Sequence, residues 1–252
     1  VDGLTIVALP GIPLIQQGDD LATVIQEALI RCNLRLEHHD VLVIASKIVS
    51  KSEGRMIDLR TITPSAEAEH YALQTGKDPR IVEMVLRESL SVSRSAPGVI
   101  VTQHRLGFIS ANSGIDQSNV APGGEHILLL PEDPDHSAEH LRAALHHAYG
   151  VELGIVISDT HGRPFRLGNV GVAIGVAGVP ALLDMRGQPD LFGRILRATV
   201  QGYADLIASA AHLVCGEGAE GLPVVLVRGL DYHDTTGRAA DLYRPSHQDL
   251  YR

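Results

Sequence analysis

Residues 151–178 read VELGIVISDTHGRPFRLGNVGVAIGVAG. Ile155, Val156 and Ile157 form a short β-branched run, the pattern of a buried strand. The run gives way to Ser158-Asp159-Thr160-His161-Gly162-Arg163-Pro164. A carboxylate, two hydroxyls, an imidazole and a guanidinium are thereby expected just past the end of that strand. Sheets covered by helices bind ligands at the carboxyl ends of their strands. A second β-branched run follows, with glycines at 168, 171, 175 and 178 spaced for close strand packing or bulges. The stretch predicts that Asp159 and Thr160 hold a metal ion beside a phosphate.

Working outward, residues 126–130 predict a strand, and Ser137 is expected to cap a helix with Leu141, Ala144, Leu145 and Ala148 on its face, stopped by Gly150. On the other side, residues 190–214 predict the longest helix, with Ile195, Leu196, Thr199, Tyr203, Leu206, Ile207, Ala210 and Leu213 on one face. A strand over 223–228 and an irregular tail from Tyr232 close the chain. Near the start, residues 4–9 predict a strand, broken by Pro10-Gly11-Ile12-Pro13. Asp19 or Asp20 can cap a helix whose apolar face is Leu21, Val24, Ile25, Ala28, Leu29 and Cys32. Residues 40–46 predict the next strand, leaving as a polar turn from Lys47 to Gly54. This order sets Pro10–Ile15 and Ser46–Lys51 on one edge of a sheet. Thr63-Pro64 opens a helix ending by Gly76, and Asp78-Pro79 opens another over about 79–90. Residues 98–104 and 107–112 predict paired strands before the polar loop Asn112–Gly124. Without strict βαβ alternation, the expected class is α+β, with mixed sheets in two interleaved subdomains rather than a doubly wound sheet.

Bulk properties narrow the function. The chain has 252 residues, 44% apolar and 20% charged, an ordinary globular balance. Only 4% are aromatic and Trp is absent, which disfavours a base-stacking single-strand binder. A formal net charge of −9 disfavours a nucleic-acid partner held by phosphate contacts. A phosphate ligand would need local countercharge, from a cation or backbone N–H groups. Cys32 and Cys215 lack metal-ligand spacing and read as reduced core thiols. No run reaches 18 apolar residues and no charged-then-apolar leader opens the chain, so the expectation is a cytoplasmic protein with no membrane partner.

Three polar loops carry an acidic residue among Gly, Ser, Thr or Asn: Asn112–Asn119, Ser158–Arg163 and Gly216–Gly221. Hard divalent cations take oxygen ligands and leave positions for substrate phosphate. Asp116, Asp159 and Glu217, with Thr160, can supply such a set, although acids in Gly-rich loops also cap helices and fix turns. Lys47 and Lys51, following a buried strand, suit phosphate as point charges; solvated surface charge is the plainer alternative. Arg163 and Arg166 can bind a substrate anion or pair with Asp159. The adjacent pairs His38-His39 and His146-His147 point to different helix faces and read as surface residues.

Residues 216–221 spell GxGxxG, but they follow a helix and precede Pro223 and a strand, the wrong context for a dinucleotide fingerprint. No GxxxxGK[ST] is present, so a P-loop is excluded. The segment Ile157–Gly162 resembles the opening motif of calcineurin-like metallophosphoesterases. The later Asn-His and His-rich metal loops of those enzymes have no counterpart among His212, His233 and His247, so a metal-dependent phosphoesterase stands as the alternative reading.

Taken in order, Pro10–Ile15 with Gly18–Leu21, Ser46–Arg55, Asn112–Asn119, Ser158–Arg163 and Gly216–Pro223 resemble the coenzyme F420-0:L-glutamate ligases, from about Leu9 to Arg228. The resemblance implies one ligase domain over the chain, without the flavin-binding nitroreductase-like domain of some bacterial relatives. It implies an α+β fold in an intertwined homodimer. It implies GTP, L-glutamate and a deazaflavin coenzyme precursor as substrates, Mn²⁺ or Mg²⁺ as metals, and help from K⁺. In that family the precursor's carboxylate takes the γ-phosphate, and glutamate's amine then displaces phosphate. Ile12, Pro13, Leu14 and Ile15 match the first nucleotide-contacting loop, and Ser46, Lys51 and Asn119 match further nucleotide contacts. Asp116, Asp159, Thr160 and Glu217 match the metal-binding positions, with Gly216 and Gly218 wrapping the nucleotide. Asp116, Asp159 and Lys51 are the residues expected to carry catalysis. His161 departs from the Asn that often follows the Asp-Thr pair in archaeal members.

Overall fold

Alternation along three strands decides the architecture. In the computed structural model, which describes residues 3–233 and 235–249, β1 (Thr5–Ala8) leads to α1 (Leu21–Arg31), β2 (Val41–Ala45) and α2 (Ser46–Ser52). Next come β3 (Met56–Asp58), α3 (Ala66–Thr75), α4 (Pro79–Arg87), β4 (Ser89–Ala96), β5 (Val99–His104) and β6 (Ile109–Ala111). β7 (His126–Leu128) and α5 (Pro134–Tyr149) precede β8 (Gly154–Arg163) and β9 (Arg166–Ala177). β10 (Leu182–Asp184), β11 (Val200–Gly202), α6 (Tyr203–Cys215) and β12 (Val224–Arg228) complete the order. The class is α+β, with a central mixed sheet ordered β1-β12-β2-β8-β9 and smaller sheets β3-β7, β4-β5-β6 and β10-β11. β2 and β8 run parallel; the other pairings of the central sheet are antiparallel.

Period-two alternation sends β2, β8 and β12 side chains to two different helix layers. Leu42, Ile44, Ile155, Ile157 and Leu226 bury against α1 and α5, meeting Ile25, Leu29, Leu141 and Leu145. Val41, Val43, Val156, Val225 and Val227 face α6 and meet Ala204, Ile207, Ala208 and Ala211. Large residues fill the first interface; Val against Ala makes the second thin. Glycine completes that close approach. A Cβ at Gly171 would lie 2.7 Å from the Ala208 carbonyl oxygen, and one at Gly175 would lie 2.4 Å from that of Pro134. The glycine run of β9 is therefore a packing device.

β9 is the outer strand of the sheet, and its free edge is satisfied by side chains at the helix starts. Asp205 accepts from Ala173 N–H at 2.9 Å and Asp135 from Val176 N–H at 2.8 Å. Ser209 donates to the Gly171 carbonyl at 2.7 Å. Such capping removes the unpaired row that makes an edge strand prone to association. Burial raises both carboxyls, Asp135 and Asp205, above the ordinary range despite these backbone donors.

Four local expectations are corrected. Lys47–Gly54 is not a turn: Ser46–Ser52 forms α2, whose Ile48 and Val49 are buried. Its serines read as turn formers, but tertiary burial of those two residues overrides them. α5 is capped by Asp133, with Pro134 in its first turn, not by Ser137. The long helix over 190–214 begins only at Tyr203, because β11 pairs with β10 before it. Cys32 and Cys215 are free and half-buried at core margins rather than inside.

α3, α4 and β5 share a separate small core of Ala68, Ala72, Val82, Val85 and Ile100. Its junction with the rest combines an apolar cluster, Met84 of α4 against Leu59, Ile127 and Leu129, with an ionic one. The Glu88 carboxylate accepts from Arg55 and Arg105, both at 3.0 Å. Burial opposes that charge, but His104, Arg105 and Arg55 outweigh it and hold Glu88 at about 2. The unfolded chain then binds the extra proton first, so Glu88 contributes its full stabilisation above about pH 4.5 and loses it as pH falls toward 2. Glu88→Gln should cost about 2 kcal/mol at pH 7. The gap from wild type should shrink at pH 3 in urea unfolding; a pH-independent gap would contradict the assignment.

Candidate functional site

The parallel register of β2 and β8 sets the site. Ala45 pairs with Ser158, so Ser46, the first residue of α2, comes to lie beside Asp159 of β8. The Ser46 hydroxyl reaches the Asp159 carboxylate at 3.4 Å. β12 runs antiparallel to β2, which brings the loop before it to the same edge. β1 runs antiparallel to β12, so the chain after Ala8 arrives there too. Pro10–Ile15, Ser46–Lys51, Ser158–Arg163 and Gly216–Pro223 thus converge at one sheet edge. They line one cleft of about 1820 Å³ together with Asp116 and Asn119. That exceeds the roughly 300–1,000 Å³ of an ordinary ligand pocket, leaving room for more than one substrate.

The Asn112–Asn119 loop is anchored from below. Ser113 is buried, its hydroxyl 2.6 Å from that of Ser89 and 2.8 Å from that of Thr102. Asp116 exchanges both backbone hydrogen bonds with Leu128 at the end of β7. From above, α2 holds the loop. Lys47 and Lys51 are one helical turn apart and share a face. Lys47 Nζ lies 2.6 Å from Asp116 Oδ2 and donates to the Ser118 carbonyl at 2.8 Å. Lys51 Nζ donates to the Asn119 carbonyl at 2.7 Å. Asn119 Nδ2 in turn donates to the Gly218 carbonyl at 2.9 Å. Glu217, beside it, accepts from the Thr160 hydroxyl at 3.0 Å and lies 2.9 Å from His212 Nδ1. The three acid-bearing segments and α2 form one connected network.

Burial works against the Asp116 charge, but the Lys47 ammonium and the Ser118 hydroxyl and N–H prevail and lower its pKa. Burial and the neighbouring Lys47 charge lower that of Lys51, with Asp116 opposing. Among the described residues no three carboxylate, imidazole or thiol groups gather into a ready cation cage. Asp116, Asp159, Thr160 and Glu217 all offer oxygen to the same cleft. A hard cation held by one or two carboxylates, with phosphate oxygens completing its shell, fits such a set.

Two expectations about Ser158–Arg163 change. This segment is not a loop past a strand end. β8 continues to Arg163 because Asp159, Thr160 and His161 pair with Val172, Gly171 and Val170 of β9. Arg163 donates to the Leu167 carbonyl at 3.1 Å across the hairpin. His161 is the neighbour of Asp159 instead, with Nε2 3.1 Å from Oδ2 and its ring against Phe108.

A family model described as F420-0:Gamma-glutamyl ligase matches residues 11–229. The chain is 46% identical to the coenzyme F420:L-glutamate ligase of Methanopyrus kandleri, over 99% of both chains. Its identity to the enzyme of that name from Methanothermobacter thermautotrophicus is 45%, again over 99% of both. For the Archaeoglobus fulgidus enzyme the figure is 44%, covering 96% of this chain and 94% of that one. The chain belongs to the F420-0:gamma-glutamyl ligase family. Such agreement along the ligases leaves the metallophosphoesterase alternative unfavoured.

Within this ligase-family site, sequence reasoning missed the pairing of Lys47 with Asp116 and the part of His212. Lys47 was legible as a lysine one turn before Lys51, had α2 been recognised. His212 carried only a helical-face signal. Lys47→Met should leave Asp116 buried without its countercharge, moving its titration upward from the lowered native position. Carboxyl carbon NMR of Asp116 checks this; an unmoved midpoint would contradict the account.

Proposed function

We propose that this protein joins L-glutamate to F420-0, the deazaflavin coenzyme precursor, at the expense of GTP, adding further glutamates through γ-linkages. The carrying observation is the convergence of three acid-bearing segments and two lysines on one large cleft, in a chain of this ligase family. A carboxylate oxygen of F420-0 attacks the γ-phosphorus of GTP, and GDP leaves. The glutamate amine then attacks the acyl carbon, loses its proton, and phosphate departs with the amide formed.

Both reacting partners of the first step are anions, so positioning and charge neutralisation carry the catalysis. Ile12, Pro13, Leu14, Ile15, Ser46, Asn119 and the backbone of Gly216–Gly218 would hold the nucleotide. Lys47 and Lys51 would face its phosphates. Asp116, Asp159, Thr160 and Glu217 would hold Mn²⁺ or Mg²⁺, which when bound offsets charge on phosphate oxygens. K⁺ belongs to the same proposal as an accessory cation. No residue of the chain need form a covalent intermediate. The site of action is the cytoplasm; among the described residues no helix is long and apolar enough to cross a membrane.

Incubation with GTP, Mn²⁺, glutamate and F420-0 should give a product heavier by one or more glutamyl residues, read by mass spectrometry. GTP binding without any product would leave a nucleotide-binding module instead. Asp159→Ala should lower turnover by about 100-fold or more with melting temperature unchanged; wild-type turnover would remove Asp159 from the site.

The family's interleaved subdomains and homodimer are part of this reading. Leu191 and Phe192, in the arm between β10 and β11, are 98% and 95% exposed. Apolar residues so bare support a surface covered by a second copy. Phe192→Asp should shift the sedimentation of the protein from dimer to monomer.

A further inference from the structure

We propose that His212 is a positioning residue for Glu217, the acid that the reading above makes a cation ligand, and the inference rests on that reading. Glu217 is exposed and sits on the loop just past α6, so nothing in its own segment fixes its rotamer. Two donors from neighbouring elements do. His212 Nδ1 is 2.9 Å from Glu217 Oε1, and the Thr160 hydroxyl is 3.0 Å from the same oxygen. His212 meets Oε1, and the Thr160 hydroxyl straddles the carboxylate, lying 3.3 Å from Oε2 as well, so the two donors together set the carboxylate plane.

The ring is itself fixed on three sides. Its Nε2 lies 3.3 Å from the hydroxyl of Ser158, a residue buried in β8 directly before Asp159. A carboxylate can only accept, so Nδ1 carries the proton; in the neutral ring Nε2 then accepts from Ser158. The Cδ2 corner of the ring lies against Gly171. A Cβ there would come within 2.4 Å of His212 Cδ2, so the absent side chain makes the ring's seat. Gly171 pairs with Thr160, and Ser158 adjoins Asp159. The imidazole therefore ties the strand bearing Asp159 and Thr160 to the loop bearing Glu217, which keeps these oxygens in register.

Outer partners of ligating carboxylates set cation affinity as well as orientation, and their loss costs about 10–100-fold in metal affinity. Mn²⁺ binding in the presence of GDP, read by electron paramagnetic resonance of the free ion, tests this without turnover. His212→Ala should weaken Mn²⁺ by about 10–100-fold. His212→Asn, whose amide can donate from near the Nδ1 position, should recover most of that loss at a similar melting temperature. A merely structural histidine, seated at a helix end, would lower the melting temperature of both variants and leave Mn²⁺ affinity alone; that result overturns the proposal. Equal weakening in His212→Ala and His212→Asn also overturns it. Glu217→Gln separates the two levels. If it weakens Mn²⁺ while His212→Ala does not, the positioning inference fails and the ligand reading stands. If it binds Mn²⁺ like wild type, the ligand reading falls and takes this inference with it. Should His212→Ala fail to fold, Ser158→Ala, which frees the ring's far nitrogen, should weaken Mn²⁺ by a smaller factor; wild-type affinity there overturns the proposal.

Discussion

The parallel pairing of β2 with β8 is the constraint on which the molecule depends. A parallel pair carries both strands toward the same edge; here β2 ends at Ala45, which sets Ser46 beside Asp159, where β8 goes on paired with β9 alone. Flanking antiparallel partners then deliver the chain after β1 and the loop before β12 to that edge. A shift of β2 by one residue would put Ser46 out of reach of Asp159. It would also send Leu42 and Ile44 to the thin α6 side and Val43 to the thick one. Site and core therefore fail together, which makes the register hard to lose.

The thinness of the α6 interface has a functional counterpart. Val on the sheet, Ala on the helix and Gly171 on β9 let α6 lie close enough for Ser209 to reach the strand backbone and His212 to reach Ser158. A bulkier interface would lift the end of α6 away, and Glu217 with it. The same economy appears at the edge of β9, where carboxylates from the first turns of α5 and α6 satisfy backbone N–H groups. Packing and site geometry are thus one problem on this face of the sheet.

Much of this was legible in the sequence, for identifiable reasons. The apolar strands and the helix over Leu21–Arg31 have strong periodicity and good caps, and they fold as read. The acid-bearing segments stood out because acids among Gly, Ser and Asn rarely serve burial. What escaped notice was decided by tertiary pairing. Ser158–Arg163 reads as a polar loop, yet it is strand because β9 returns alongside it. α2 offers only Ile48 and Val49 as helical signal, and their burial came from elements far along the chain. The arm before α6 shows helical spacing of apolar residues, but Leu191 and Phe192 find no core to face within the chain. Local pattern carries the long elements; short ones and the network among the loops depend on contacts that no window of sequence contains.

That network also bears on how a protein of net charge −9 would receive the phosphate and cation proposed for the cleft. The cleft's ammonium groups are already engaged: Lys47 with Asp116 and Ser118, Lys51 with the Asn119 carbonyl. An anion entering alone would have to take Lys47 from Asp116 and leave that half-buried carboxylate uncompensated, which is costly. A cation entering alone would strand the lysine in the same way. Arriving together, a phosphate and a divalent cation can exchange partners with the pair, each charge passing from one counterion to another. The pairing at rest thus disfavours either charge by itself and docks the Asn112–Asn119 loop on α2.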